Sequence, residues 1–385
     1  MSRIDSIKIR WASSADEIPE SLWARCFPPP LEGRWWYRTL DRCGIEEQFT
    51  FAYAVLERSG NPVGIAPTFV MDVPIDLVAP PLVAKALVRA GTLFPRLRYQ
   101  RTLFVGSPVD EGTVGLVAGT TLAAVAPVIQ DALVLKARDS KAAMIVWKDF
   151  TDDTASALET LSRTHGLFRL PSYPDTRLAL KGSSFESYLQ ALRSNTRYKL
   201  KKKLGLSREM GKLETSVTQS PDDALLGEVF GLFWQTYERG KNKFERLTPD
   251  FFKLIATEPV SYFVLLSNPV TGKLVAFSLC FRVGKRVINK FIGLDYSYRG
   301  NWFLYFRLWE QIVDWAALSG AEELQSGQTG YMAKLDVGHA LVPQTNYCRH
   351  LNPVVHRIFK AVAPSISWST LDDDLKQFVQ RRARK

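Results

Sequence analysis

The stretch SYFVLLSNPVTGKLVAFSLCFRVGKRVINKFIGLD, residues 261–295, limits the fold more than any other part of the chain. It holds three runs rich in Val, Ile, Leu and Phe, side chains that fit a pleated, half-buried surface. The links between the runs, NPVTGK and VGKR, are short and carry turn residues. Links this short return the chain antiparallel, because a parallel crossover takes a dozen residues or more. The spacing therefore predicts a three-stranded meander. Beyond it, Trp302, Phe306, Trp309, Val313 and Ala316 recur at helical intervals. A helix over 302–318 is expected to lay that apolar face on the sheet. Ser319-Gly320 ends it, EELQSG reads as a short strand, and ALVPQTNYCRH reads as another.

At 385 residues the chain is too long for one comfortable core and fits two domains. The first half runs in the same order as the second. Short helices are expected around residues 21–26 and 34–43, and a hairpin over 51–73, with its turn at Ser59-Gly60-Asn61-Pro62. RTLFVGSPV is a strand ending in a turn. An Ala-rich buried helix is read from 112–139, a buried strand over 142–150, and a helix ending at Gly166. GSPVDEG, 106–112, reads as a plain loop. In the second half one helix is expected over Phe185–Leu204, with Leu189, Leu192, Thr196, Leu200 and Leu204 as its buried stripe. The fold class expected is α/β (α+β): two tandem units, each a mixed, mostly antiparallel sheet flanked by helices. The boundary is placed near Lys181-Gly182-Ser183, giving domains over 1–180 and 181–385.

The formal net charge of +11 favours partners that carry phosphate: nucleic acid, nucleotide cofactors or lipid headgroups. Cys26, Cys43, Cys280 and Cys348 lie far apart, with no CxxC pair or Cys/His cluster, so neither zinc nor a disulfide framework is expected. The N-terminus lacks the apolar core of a signal peptide. The most apolar stretch, within 112–139, is interrupted by Gly, Thr and Pro127 and is short for a membrane span. These features point to a cytoplasmic protein without a membrane span. No Gly-x-Ser-x-Gly, Walker loop or His-Glu-x-x-His occurs.

Three segments resemble a known family. FESYLQALRSNTRYKLKKKL, DYSYRGNWFLYFRLWEQIVDWA and SGQTGYMAKLDVGHALVPQTNYCRH are similar to stretches of FemAB-like and CelD(BcsL)-like proteins, which join two GNAT-type domains. The resemblance covers 185–360 and implies a C-terminal acyltransferase domain after a degenerate N-terminal one. It departs at the donor loop. Where GNAT enzymes carry Gln/Arg-x-x-Gly-x-Gly/Ala, this chain has Arg299-Gly300-Asn301 and then Trp302 and Phe303, so the second glycine is missing.

The resemblance implies transfer of an acyl group to a primary amine by direct attack. Tyr331 would be an acid or hydrogen-bond donor, and Lys334 would stabilise negative charge. Asp295 is the candidate base and Tyr305 the candidate leaving-group acid. Arg299, Gly300 and Asn301, at a helix start, form a candidate donor-binding set with Gln328. Arg193, Arg197 and Lys201 recur every four residues and form a row suited to phosphate or nucleic acid. His339 and His350 flank a strand, and at least one is expected to be structural. No permanently bound cofactor and no metal are expected. Acyl-CoA is the favoured co-substrate and aminoacyl-tRNA the alternative. The acceptor would be an amine-bearing small molecule, glycan or peptide precursor. A third reading is a non-catalytic ligand-binding module of the same fold.

Overall fold

A computed structural model of the chain describes residues 7–74, 99–109, 111–240 and 245–383. Its strands, in chain order, are β1 (Ile7–Ala12), β2 (Thr50–Arg58), β3 (Asn61–Pro74), β4 (Tyr99–Val105), β5 (Gly115–Leu116), β6 (Met144–Thr151), β7 (Phe168–Pro171), β8 (Asp175–Ala179), β9 (Glu214–Thr218), β10 (Ser261–Ser267), β11 (Leu274–Val283), β12 (Arg286–Leu294), β13 (Glu323–Gln325), β14 (Ala340–Val342) and β15 (Gln344–His350). They form two mixed sheets flanked by helices, the expected fold class. One sheet runs β1-β2-β3-β4-β6-β15-β7, with β5 on β3. The other runs β14-β8-β13-β12-β11-β10-β9.

The chain divides into two compact units, each built on one sheet. Unit 1 holds Met1–Pro28, Glu46–Tyr173 and Pro343–Lys385; unit 2 holds Pro29–Ile45 and Pro174–Val342. This is not the single cut between 180 and 181 expected from sequence. Pro343 is one reason. It splits the expected strand 340–350 into β14, which pairs β8, and β15, which pairs β6. A proline has no N–H to give a ladder, so the chain changes sheets there.

In unit 2 the expected meander is present as β10, β11 and β12, paired antiparallel. Leu304, Leu308, Ile312 and Val313 of helix Leu304–Leu318 pack with Val264, Val275 and Val287 of the sheet, and Leu200 and Leu204 join the same core. Burying side chains of this size removes about 1.5–3 kcal/mol of exposure each. That holds the helix to the sheet. In unit 1, Val125, Ile129 and Leu133 of helix Leu122–Asp139 pack likewise with Leu103, Ile145 and Trp147.

Several elements differ in detail from expectation. The helix over 185–204 is two, Phe185–Ala191 and Ser194–Met210. Leu192 and Arg193 are extended between them, and Arg197 turns back to donate to the carbonyls of Leu189, Gln190 and Leu192. A guanidinium at those last carbonyls replaces the helical bonds they lack. The Ala-rich helix begins only at Leu122; residues 112–114 are irregular and Gly115–Leu116 is β5. The helix expected from Trp302 begins at Leu304, after the 3-10 turn Gly300–Trp302 and a left-handed Phe303 (φ 43°). All four cysteines are buried and free.

Candidate functional site

Two strand pairs are parallel among the described residues, one in each sheet. In unit 2, β12 runs beside β13 only over Arg286–Ile288 against Glu323–Gln325. Past that point the two chains part. The Ser326 N–H donates to Thr176 O at 2.9 Å, so the chain stays with β8. β12 continues to Leu294, held by β11 on its other side. From Asn289 onward no strand pairs β12 on the β13 side among the described residues. At the end of that edge the Leu294 N–H donates to Thr236 Oγ1 of helix Asp223–Arg239 at 3.2 Å. Strand backbone that no strand pairs is a template for an extended ligand.

A connected polar network lies around the point where the strands part. Lys334, in the short helix Tyr331–Leu335, donates to Ser326 O (2.5 Å), Gly327 O (3.0 Å) and Gln328 O (2.9 Å). An ammonium has three N–H groups, and here each has a main-chain acceptor. Burial lowers the Lys334 pKa to about 7, with the Asp175 carboxylate opposing. Thr176 Oγ1 also donates to Gly327 O, at 2.7 Å. The Tyr331 hydroxyl donates to Pro174 O at 2.9 Å from a fully buried ring. Both side chains thus fasten the loop 326–328 and its helix.

His339 continues the network. Its Nδ1 lies 3.1 Å from Lys334 O and its Nε2 3.0 Å from Ser326 Oγ. A carbonyl can only accept, so Nδ1 carries the proton and Nε2 accepts from the serine. Burial lowers the His339 pKa to about 3, aided by the Lys334 charge and opposed by the bond to the Lys334 carbonyl. The ring stays neutral. It packs on Trp309 at 4.8 Å, and Trp309 Nε1 donates to the Tyr188 hydroxyl at 3.1 Å, which donates to Val337 O at 2.5 Å.

Tyr305, in the first turn of helix Leu304–Leu318, is near enough to this group to feel the Tyr188 hydroxyl. Its hydroxyl is buried and has no hydrogen-bond partner. Burial, with a smaller contribution from Tyr188, pushes its pKa well above the usual tyrosine value, so it keeps its proton. A buried hydroxyl without a partner costs about 1–3 kcal/mol. Two turn positions on, Arg307 is 7% exposed, and its Nε and Nη1 have no hydrogen-bond acceptor. Glu310 Oε2 is 3.9 Å from Nε. Burial lowers the Arg307 pKa, opposed by Glu310. Sequence reasoning missed Arg307, because one arginine in a helix reads as a surface residue. Its place within the run Leu304-Tyr305-Phe306-Arg307-Leu308-Trp309 was the available signal.

Lys334, Tyr331, Gln328 and Tyr305 are therefore gathered in one region of unit 2. The others lie elsewhere in the unit. Asp295 follows β12 in a turn, its Oδ1 accepting from Ser297 N at 2.8 Å. Arg299, Gly300 and Asn301 are exposed on the 3-10 turn, and no side chain caps the helix that follows. In the basic row, Arg197 is committed to helix carbonyls and Lys201 sits 3.5 Å from Glu186. Arg193 is exposed, as are Lys199 and Lys202, which are not in the row. Asn289 accepts from Ser278 Oγ at 2.5 Å. His350 belongs to unit 1, where its Nδ1 accepts from Asn352 N at 3.0 Å.

These features define a class of fold: two GNAT-like units in tandem. The chain is similar to FemX, with a TM-score of 0.57 at 12% identity over 91% of this chain and 100% of that one. It is similar to L-PGS from Bacillus licheniformis (TM-score 0.51, 11% identity, 85% of this chain and 92% of that one). It also resembles a tandem GNAT protein from the clavulanic acid biosynthesis pathway (TM-score 0.50, 11% identity, 90% and 99%). At such identities the likeness is one of fold. No curated protein matches the chain. The family model for FemAB-like proteins, described as peptidoglycan biosynthesis/recognition, matches residues 173–367, and the chain belongs to that family. No helix among the described residues is long and apolar enough to cross a membrane.

Proposed function

We propose that the chain moves an acyl or aminoacyl group from a phosphate-bearing carrier to an amine of a cell-envelope precursor, by direct attack and without a covalent enzyme intermediate. The observation that carries this reading is the parting of β12 and β13 after Ile288 and Gln325. An extended carrier arm fits beside β12, where its amides replace a missing strand. The amine nitrogen attacks the carbonyl carbon, and a C–N bond forms. The thioester or ester bond to the carrier then breaks. Asp295, in the turn just past the end of β12 and so at the far end of the same edge, takes the proton of the amine. Tyr305, which holds its proton in the buried site, gives it to the departing sulfur or oxygen. Lys334 and Tyr331 are positioning residues that fix the loop 326–328, and Gln328 on that loop orients the substrate. Arg299, Gly300 and Asn301 supply a cation and backbone to the carrier phosphates.

Two carriers suit this site: acyl-CoA and aminoacyl-tRNA. One feature favours tRNA. Trp302 and the left-handed Phe303 occupy the helix start where a second glycine would let a pyrophosphate approach the backbone. Exposed Arg193, Lys199 and Lys202 supply further cations for a longer phosphate chain. The test presents labelled acyl-CoA and labelled aminoacyl-tRNA, separately, with amine-bearing peptidoglycan precursors, and seeks the acylated amine by mass spectrometry. Transfer that falls about 100-fold in Tyr305→Phe supports the reading. Binding of either carrier with no transfer would leave a non-catalytic binding module instead.

A further inference from the structure

Helix Pro353–Val362 in unit 1 has two apolar faces. Asn352 caps it, its Oδ1 accepting from Val354 N (2.9 Å) and Val355 N (3.2 Å). The inward face, Val355, His356, Phe359 and Val362, is half-buried, and no residue of the helix is fully buried. On the outward face Val354 is 62% and Ile358 47% exposed, and exposed Ala361 extends the stripe. Among the described residues no other pair of exposed large apolar side chains lies one turn apart on a helix. Water is a poor solvent for such a stripe.

The stretch of chain that carries it has charge of one sign. Exposed Arg357 and Lys360 lie along one side of the stripe, and residues 343–371 contain no Asp or Glu, acidic residues resuming at Asp372-Asp373-Asp374. Burial holds both His350 and His356 below the usual histidine pKa, so the cationic character comes from Arg349, Arg357 and Lys360. Nucleic acid would use the cations and leave Val354 and Ile358 in water. A neutral apolar partner would do the reverse. A surface with anionic headgroups above an acyl layer satisfies both at once.

We infer that helix Pro353–Val362 docks on an anionic phospholipid surface, inserting Val354, Ile358 and Ala361 while Arg357 and Lys360 meet the headgroup phosphates. This docking does not depend on the proposed transfer chemistry, and its test does not use it. The full chain is floated with vesicles of pure phosphatidylcholine and with vesicles containing phosphatidylglycerol. Binding to the anionic vesicles alone is expected, weakening with added salt. Val354→Asp/Ile358→Asp is expected to cut it about tenfold or more. Arg357→Gln/Lys360→Gln, which keeps the apolar stripe, is expected to cut it less and to remove the salt dependence. Unchanged circular dichroism and melting temperature in both variants guard against misfolding. Equal binding to neutral vesicles, no binding, or an unaffected Asp variant would overturn the inference. So would light scattering in which the wild type is a dimer and the Asp variant a monomer.

Discussion

The two parallel strand pairs start alike and end differently. In unit 1, β4 lies beside β6 over Thr102–Val105 against Met144–Trp147, and then leaves with β3, the Gly106 N–H donating to Pro67 O at 2.9 Å. The gap that opens is refilled by the chain itself. The Gly112 N–H donates to Asp149 O at 2.9 Å on one side, and β5 pairs β3 on the other. A Cβ on Gly112 would lie 2.1 Å from Lys148 O, and one on Gly115 would lie 2.2 Å from the Phe27 ring. Beside it, buried Lys148 and Ser172 both donate to the buried Asp149 carboxylate. In unit 2 no strand returns between β12 and β13 among the described residues, although Thr236 Oγ1 of helix Asp223–Arg239 accepts from the Leu294 N–H at 3.2 Å. The same parting is thus filled in one unit, and in the other it is the place proposed for the reaction.

The largest effect should come from disturbing the filled gap. Gly112→Ala puts a methyl group into backbone, which cannot yield as a flexible side chain can. A loss of about 3 kcal/mol of stability is expected by urea unfolding. A loss under about 0.5 kcal/mol would mean that the unit 1 gap is open after all. Tyr305→Phe sharpens the other half of the comparison. The variant should slow transfer about 100-fold. It should also raise stability by about 1 kcal/mol, because it removes a buried hydroxyl without a partner. A merely structural tyrosine would show the opposite pair of results.

Lys334→Met comes next. It takes the Lys334 donor from three carbonyls of the loop 326–328, of which Gly327 O keeps Thr176 Oγ1, and a loss of about 2 kcal/mol is expected in thermal or urea unfolding. Hydrogen exchange should quicken there and not in β4–β6. The smallest effect is a pH dependence. The folded Lys334 pKa of about 7 lies below the ordinary 10.5, so between those values the unfolded chain holds more protons. Stability attributable to this group therefore rises as pH is raised through that window. The wild-type melting temperature should gain on that of Lys334→Met between about pH 7 and pH 8.5, a window inside those two values. A gap that narrows with pH would show that the buried amine is not held below its ordinary range.

Much of unit 2 was legible in the sequence. Its strands are set by short links and β-branched runs, and its main helix by apolar spacing, features local to the chain. The region of Tyr305, Gln328, Tyr331 and Lys334 was reached through resemblance. What these side chains do was less legible, because the partners of Lys334 are main-chain carbonyls, which every sequence supplies. The closed gap in unit 1 was hidden for a related reason. Gly112 and Gly115 stand at the front of an Ala-rich run and read as its first turn. Their need to lack a Cβ comes from Lys148, Phe150 and Phe27, which are distant in sequence. The discontinuous units could not be read either, since the return of 343–385 to the first sheet is a long-range pairing of β15 with β6.

In the proposed reaction the activated carbonyl lies between β12 and β13. The most direct measurement uses acyl-CoA and aminoacyl-tRNA analogues that carry a photoreactive acyl group, with the labelled peptides mapped by mass spectrometry. Label is predicted within residues 288–294 and 325–334, and to be absent from 102–116 and 147–151. Label in the unit 1 segments, or the same yield at both places, would contradict the claim.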